Sequence, residues 1–135
     1  MSRGDVFPIV NCSDIVRTRS FYQSVFGGKQ AYQFPAEGEP VYLTLAVGTG
    51  TVALGVGSRP AMYGEMPLPA TGHAVDLCLY VPNLDAVVAE APKRGGAAVV
   101  APAEMPWGER VAYVRDPEGT MLLVIQDEKD APVDI

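Results

Sequence analysis

The first half of the chain alternates short hydrophobic runs with one helix-like segment. The runs have the length of strands and span residues 6–12, 31–34, 41–47 and 51–56. After the first run, hydrophobic residues recur every three or four positions from Ile15 to Phe26, which predicts an amphipathic helix. We expect Asp14 or Ser13 to cap this helix, because a short polar side chain accepts free backbone N–H groups, and we expect Gly27 to end it.

The second half repeats the same order of elements. Its strand-like runs span residues 74–81, 97–101, 110–115 and 120–126. Asn83 is positioned to cap a second helix, and Gly96 lies just after that helix. Pro92 removes an amide donor near the helix end, so we expect this helix to be kinked or to end early.

The two halves match at a constant offset of 69 residues without a gap. The matched positions are Asp14 with Asn83, Gly27 with Gly96, Gly50-Thr51 with Gly119-Thr120, and residues 52–54 with residues 121–123. Such self-similarity indicates an internal duplication. The sequence therefore predicts a single α+β domain of two tandem βαβββ units, at about 5–57 and 74–127, joined by a linker at 58–73.

The composition fits a globular protein with a sizeable core. The chain has 135 residues, 48% of them hydrophobic, and a net charge of −6. An acidic chain repels phosphate, so we expect no nucleic-acid partner. No apolar run is long enough to cross a membrane and the start lacks a signal peptide, which predicts a cytoplasmic protein. We therefore interpret Cys12 and Cys78 as reduced core thiols, with a disulfide between them as the alternative.

Several short motifs resemble those of the vicinal oxygen chelate superfamily, which includes glyoxalases, bleomycin resistance proteins and dioxygenases. They are Asp14-Ile15, Phe21-Tyr22, Phe26-Gly27-Gly28, Pro106-Trp107-Gly108-Glu109-Arg110, Asp116-Pro117-Glu118-Gly119-Thr120 and residues 122–126. The last two blocks are most similar to the bleomycin-resistance type of binding protein. The resemblance implies two curled mixed sheets around a cavity, and a homodimer.

Enzymes of this superfamily hold one divalent metal through His, Glu or Gln on the first and last strands of each unit. Counting back from the helix caps and forward from the turn glycines places the four ligand positions at Phe7, Leu54, Asp76 and Leu123. Only Asp76 has a side chain that coordinates metal, and a catalytic site typically needs three protein ligands. We therefore expect no metal and no cofactor, and we interpret His73, the only histidine, as a loop residue and not as a ligand.

The resemblance thus favours a metal-free protein that sequesters a small organic ligand, namely an aromatic or cationic drug or metabolite. A metal-dependent glyoxalase-like lyase or isomerase, or a dioxygenase, is the alternative. The predicted ligand-binding residues are Trp107, Phe7, Tyr42, Leu54, Asp76, Arg110, Tyr113, Leu123, Met62 and Tyr63. Phe7, Leu54 and Leu123 would make the cavity apolar. Met62 and Tyr63 belong to a loop that is either a flexible lid or disordered.

Five of these residues have alternative roles, and for Tyr42 and Tyr113 the alternative to lining the cavity is packing in the core. Trp107 either stacks on a flat ligand or plugs one end of the core. Asp76 either attracts a cation or serves as a helix cap or salt-bridge carboxylate. Arg110 either pairs with an anionic group of the ligand or bridges to Glu109 or Asp116. Three acids, Glu104, Glu109 and Glu118, are interpreted as solvated surface residues.

Overall fold

The computed structural model describes residues 5–61, 63–69 and 74–128. They form two compact units, one within residues 1–72 and one within residues 73–135. Each unit contains a four-stranded mixed sheet and one helical segment in the order βαβββ. This confirms the predicted α+β class with a repeated βαβββ unit.

Unit 1 follows the predicted order of elements. It consists of β1 (Ile9–Cys12), α1 (Ile15–Phe26), β2 (Lys29–Phe34), β3 (Tyr42–Val47) and β4 (Gly50–Val56). The strand order in the sheet is β1-β4-β3-β2, with β1 parallel to β4 and the other pairs antiparallel. The parallel pair is possible because α1 carries the chain across the sheet between β1 and the later strands.

Unit 2 repeats this topology. It consists of β5 (Leu77–Val81), α2 (Leu84–Glu90), a 3-10 helix (Ala91–Arg94), β6 (Ala97–Glu104), β7 (Arg110–Arg115) and β8 (Met121–Gln126). The strand order is β5-β8-β7-β6, and β5 is parallel to β8. The α-helix gives way to the 3-10 helix that contains Pro92, so the predicted early end of this helix is confirmed.

Both helices have the predicted N-terminal caps. The Asp14 side chain accepts the backbone N–H of Arg17 at 3.0 Å, and the Asn83 side chain accepts that of Ala86 at 3.1 Å. Gly27 ends α1 with φ of 67°, a left-handed conformation that glycine adopts without a Cβ clash.

In unit 1 the strand pairing separates a core face from an open face of the sheet. Val10, Leu54 and Leu43 lie side by side across three strands, and all are buried, as are Phe21 and Tyr22 of α1. Partner residues on neighbouring strands point to the same face of a sheet, so this row faces the helix. Ile9, Tyr32 and Phe34 alternate with core positions and are more than half exposed, which defines the open face.

Unit 2 has the same two faces. Leu79, Val124 and Ala112 form a core row, and Val124 and Ala112 are fully buried. The neighbouring row contains Cys78 and Leu123, which alternate with the core residues and therefore face the opposite side. Cys12 is buried but Cys78 is exposed, so the prediction that Cys78 is a core thiol is wrong, and the two cysteines do not form a disulfide.

The repeat changes its offset before the last strand. Val10 pairs with Leu54 in unit 1, whereas Leu79 pairs with Val124 in unit 2. The residues on the first strand of each unit therefore differ by 69 in number, and those on the last strand differ by 70. The turn at residues 117–119 is one residue longer than the turn at residues 48–49. The gap-free match of residues 52–54 with 121–123 was therefore wrong by one position, and Leu123 is equivalent to Ala53.

Four strand boundaries differ from the prediction by more than one residue, and one of them is the start of β2, which lies at Lys29 and not at residue 31. The first strand begins at Ile9 because Pro8 has no N–H to donate, although its carbonyl accepts from Ala53. Strand β5 begins at Leu77, near the start of the neighbouring strand β8. Strand β6 extends to Glu104 despite a proline, which is tolerated because β6 is an edge strand.

The segment between the units is described only in part. Leu68 packs against Gly57 so closely that a Cβ added to that glycine would lie 2.8 Å from the leucine side chain. Tyr63 is 69% exposed. Met62 and His73 lie outside the described residues. Among the residues that are described, no helix is long and apolar enough to cross a membrane.

Candidate functional site

The open face of the unit 2 sheet carries two of the predicted site residues of that unit, Leu123 and Tyr113. Cys78, Leu123 and Tyr113 lie side by side on β5, β8 and β7. Cys78 is exposed, and Leu123 and Tyr113 are partly exposed. A small molecule placed here would meet a thiol, an aliphatic side chain and a phenol ring.

The next row of the same face ends at Tyr80. Tyr80 on β5 is the strand neighbour of Ile125, which in turn is the neighbour of Val111. Tyr80 is 65% exposed, whereas Ile125 and Val111 are buried. Sequence reasoning did not identify Tyr80 as a site residue.

Trp107 lies in the turn between β6 and β7, at one end of this face. Gly108 donates its N–H to the Met105 carbonyl at 2.8 Å, and Met105 donates to the Glu109 carbonyl at 2.7 Å. Gly108 has φ of 98°, which only glycine adopts easily, so this turn depends on Gly108. Trp107 is 68% exposed, and the alternative that it plugs the core is therefore wrong.

Glu109 connects the two exposed aromatic residues. The Trp107 indole Nε1–H donates to Glu109 Oε1 at 2.7 Å, and the Tyr80 hydroxyl donates to Glu109 Oε2 at 3.4 Å. The negative charge of Glu109 raises the pKa of Tyr80, and desolvation adds to the increase. The indole edge is thus held in place while most of the residue stays in solvent.

Glu109 was interpreted from the sequence as a solvated surface acid, and this interpretation missed its contacts. Glu109 lies two residues before Val111, which is on the open face. If β7 is continued by one residue, alternation places Glu109 on the same face, and this was the signal that the sequence offered. The pairing with Tyr80 depends on β5 and β7 lying on either side of β8. That arrangement is not encoded in any local pattern near Glu109.

Arg110 lies on the opposite face of the sheet. Its guanidinium forms two hydrogen bonds with the Asp85 carboxylate of α2, at 2.9 and 3.2 Å, and this contact raises the pKa of Arg110. The expected bridge to Glu109 or Asp116 is therefore wrong. Asp116 instead accepts the backbone N–H groups of Glu118 and Thr120 in the turn before β8.

The positions at which the superfamily enzymes hold a metal do not fit one here. Leu54 is fully buried in the row that faces α1, so the prediction that it lines a cavity is wrong. Its neighbour Ala53 occupies the open-face position, and alanine, leucine and phenylalanine side chains cannot coordinate metal. Asp76 is exposed just before β5, and α1 and α2 are capped by Asp14 and Asn83 instead.

No group of three potential ligands replaces those positions in the part of the chain that the structure describes. Within residues 5–61, 63–69 and 74–128, no three His, Cys, Asp or Glu side chains are close enough to hold a metal ion. The described side chains therefore do not fit a metal centre.

The remaining predicted residues belong to unit 1 or to the segment after it. Tyr42 is on the open face of unit 1, where its ring centroid is 6.2 Å from that of Tyr32. Phe7 is partly buried and precedes β1. Tyr63 lies in the segment that follows β4, and it is not part of a strand or helix.

Comparison with known proteins identifies the family. Residues 6–124 match the family model described as the Glyoxalase/Bleomycin resistance protein/Dioxygenase superfamily. A search of the curated proteins found no significant match to the sequence.

Several solved structures have the same fold. TioX from Micromonospora sp. ML1 is 22% identical, with 91% of this chain and 98% of that chain covered and a TM-score of 0.69. A hypothetical protein from S. aureus is 18% identical, with 94% and 96% covered and a TM-score of 0.75. Lactoylglutathione lyase from Agrobacterium tumefaciens is 17% identical, with 94% and 96% covered and a TM-score of 0.63.

Identities this low show a common fold and leave activity open. The match to the family model extends from just before β1 into β8 and so covers both βαβββ units. The chain belongs to the glyoxalase/bleomycin resistance protein/dioxygenase superfamily.

Proposed function

We propose that this protein is a metal-free small-molecule-binding protein of the bleomycin-resistance type, which sequesters an aromatic or cationic drug or metabolite. The observation that carries the proposal is the geometry of Trp107. Its side chain is largely exposed while its indole N–H is hydrogen-bonded to Glu109. An indole held by its edge offers a preorganised surface on which a flat ligand can stack.

The open face of unit 2 supplies further contacts of the kind that such ligands use. Leu123 and Tyr113 are partly exposed on the same face as Tyr80. Small-molecule sites are lined mainly by hydrophobic and aromatic side chains, with a few polar groups that set the orientation. Glu109 and the Tyr80 hydroxyl are such polar groups.

The chemistry of the former ligand positions favours binding over catalysis. Superfamily enzymes use a metal to polarise their substrates, and the equivalent positions here are occupied mainly by carbon side chains. We therefore place the metal-dependent lyase, isomerase or dioxygenase as the alternative that the following experiments must exclude.

Ligand binding is tested by fluorescence, because Trp107 is the only tryptophan in the chain. We expect planar aromatic compounds from a thermal-shift screen to quench or shift the Trp107 emission. Trp107→Ala should weaken their binding by at least about tenfold in calorimetry, which corresponds to about 1.4 kcal/mol. Val16→Ala, which shortens an exposed side chain on α1, is the control. Unchanged affinity in Trp107→Ala would contradict this site.

The exposed Cys78 provides a second readout of the same face. Cys12 is buried, so a maleimide should modify Cys78 selectively. A ligand that covers the face should slow this modification, and Cys78→Ser measures the background reaction. An unaltered rate at saturating ligand would show that the ligand binds elsewhere.

Metal content separates the proposal from the enzymatic alternative. Protein purified without chelators should contain far less than one equivalent of zinc, nickel, iron or manganese by elemental analysis. Stoichiometric metal that is lost in Asp76→Ala would instead support a metal-dependent enzyme.

We also propose that the protein is a homodimer, as the family resemblance implies. The support is the open face of unit 1, where Ile9, Tyr32 and Phe34 are 51%, 52% and 58% exposed. Large hydrophobic side chains grouped on one face are typical of surfaces that become covered.

A further inference from the structure

We infer that the site selects planar aromatic cations over neutral and anionic molecules of the same shape, and that Glu109 is the residue that determines this specificity. The inference rests on the proposed function and deepens it. It depends on how Glu109 is bonded, which charges surround it, and what its hydrogen bond does to the indole ring.

Glu109 uses both carboxylate oxygens to accept from neutral donors. Oε1 accepts from the Trp107 indole N–H and Oε2 from the Tyr80 hydroxyl. Neither donor carries a positive charge, so these bonds orient the carboxylate without neutralising it. A negative charge therefore remains beside the exposed indole.

The cationic side chains described in unit 2 are placed elsewhere. Within residues 74–128 they are Lys93, Arg94, Arg110 and Arg115. Arg94 pairs with Glu90 at 2.8 Å, and Arg110 pairs with Asp85 on the helix side of the sheet. Arg115 donates to the Gly119 carbonyl at 2.7 Å, at the opposite end of β7 from Glu109.

Lys93 lies in the 3-10 helix that follows α2 and is therefore not part of the turn that carries Trp107 and Glu109. None of the four cations forms an ion pair with Glu109 in the described part of the unit. A cationic ligand would therefore supply the counter-charge that the described residues of unit 2 do not place beside Trp107.

The indole ring adds to the same preference. Trp offers the best aromatic face for a cation, through the negative potential of its π system. Donation of the indole N–H to a carboxylate polarises the ring and makes that potential more negative. An anionic ligand would meet repulsion from Glu109, and the chain as a whole carries a net charge of −6.

The test uses three flat bicyclic probes of similar size: N-methylquinolinium, quinoline and 2-naphthoate. They are titrated by calorimetry at low salt and at a mildly alkaline pH, where quinoline is neutral. We expect N-methylquinolinium to bind at least about tenfold more tightly than quinoline, and 2-naphthoate to bind most weakly. High salt should reduce the difference between the probes, because screening weakens interactions between charges.

Glu109→Gln tests the role of the charge. The amide keeps one acceptor oxygen and nearly the same shape, so we expect about a tenfold loss for N-methylquinolinium but less than about threefold for quinoline. Glu104→Gln is the matched control. It removes the same charge from the same hairpin. Glu104 on β6 is the strand neighbour of Arg110 on β7, so its side chain lies on the other face of the sheet. It should leave all three affinities unchanged.

The outcomes separate the inference from the proposed function. If Glu109→Gln weakens the cation and quinoline equally, Glu109 only positions Trp107, and the charge selection is overturned while binding at Trp107 stands. Absence of N-methylquinolinium binding to the unmodified protein overturns the selection as well. If Trp107→Ala leaves the affinity of every probe that binds unchanged, the proposed function itself fails.

Discussion

The side chains of Leu54 and Leu123 differ in their surroundings, although the sequence placed them at equivalent positions. Leu54 is fully buried beside Val10 and Leu43, in the row that faces α1. Leu123 lies between Cys78 and Tyr113 on the open face of unit 2 and is partly exposed. One leucine therefore contributes to stability, and the other is available to a ligand.

This difference predicts opposite phenotypes for two alanine substitutions. Leu54→Ala should reduce the free energy of unfolding by about 2–5 kcal/mol, because it opens a cavity in the core, and should leave ligand affinity in the folded protein unchanged. Leu123→Ala should cost less stability and should weaken the ligand. Urea unfolding and calorimetry measure the two effects. A larger loss of stability in Leu123→Ala would contradict the assignment of the two faces.

The pKa of Tyr80 provides a prediction about pH. Glu109 raises this pKa above its ordinary value of 10.0, so the folded state holds the phenol proton more tightly than the unfolded state. The contribution of Tyr80 to stability is therefore present below pH 10 and is lost as the pH rises through the raised pKa. Glu109→Gln should lower the pKa of Tyr80 toward the ordinary value.

The measurement is the ultraviolet titration of tyrosinate, with Tyr80→Phe used to subtract the other tyrosines. Glu109→Gln and Tyr80→Phe should each lose less stability at strongly alkaline pH than the unmodified protein does. A Tyr80 titration that is identical in Glu109→Gln would show that the two side chains do not interact in solution.

At the scale of elements, the two helices begin at side-chain caps that the sequence indicated. Asp14 and Asn83 each accept one backbone N–H of the first helical turn. These donors have no partner within the helix, so the cap satisfies a group that would otherwise depend on water. The caps also mark where each chain segment leaves the sheet and crosses its core face.

Removal of either cap should have a similar cost. Asp14→Ala and Asn83→Ala are each expected to lower the free energy of unfolding by about 1 kcal/mol, within a range of about 0.5–2 kcal/mol. Ser24→Ala, at an exposed position inside α1, is the control and should change stability by less than about 0.5 kcal/mol. Denaturant unfolding monitored by circular dichroism gives these values. No loss in either cap variant would argue against the hydrogen bonds.

At the scale of the whole molecule, the proposed dimer is the main prediction. The chain mass is 14.3 kDa, so light scattering should give a mass twice this value. A charge introduced on the open face of unit 1, as in Phe34→Glu, should favour the monomer because Phe34 is exposed there. Val16→Glu, on the exposed side of α1, is the control. A monomer at all concentrations would contradict the proposal.

The sequence by itself determined the class of the fold. Hydrophobic spacing of three to four predicted α1, and short apolar runs predicted the strands, because periodicity reports which face of a local element is buried. Asp14, Asn83 and Gly27 marked helix ends, since capping and the left-handed conformation depend on single residues. The internal repeat predicted two βαβββ units, and the family resemblance agreed with it.

Only the tertiary structure decided which residues meet on a face. The turn before β8 is one residue longer than the turn before β4, so Leu123 lies on the open face although Leu54, which the constant offset matched to it, lies on the core face, because side chains alternate along a strand. It also joined Tyr80 to Glu109, 29 residues apart in sequence, and directed Arg110 to Asp85. Local patterns record which side of a strand is buried. They do not record which strand lies alongside, and that neighbour determines the candidate site.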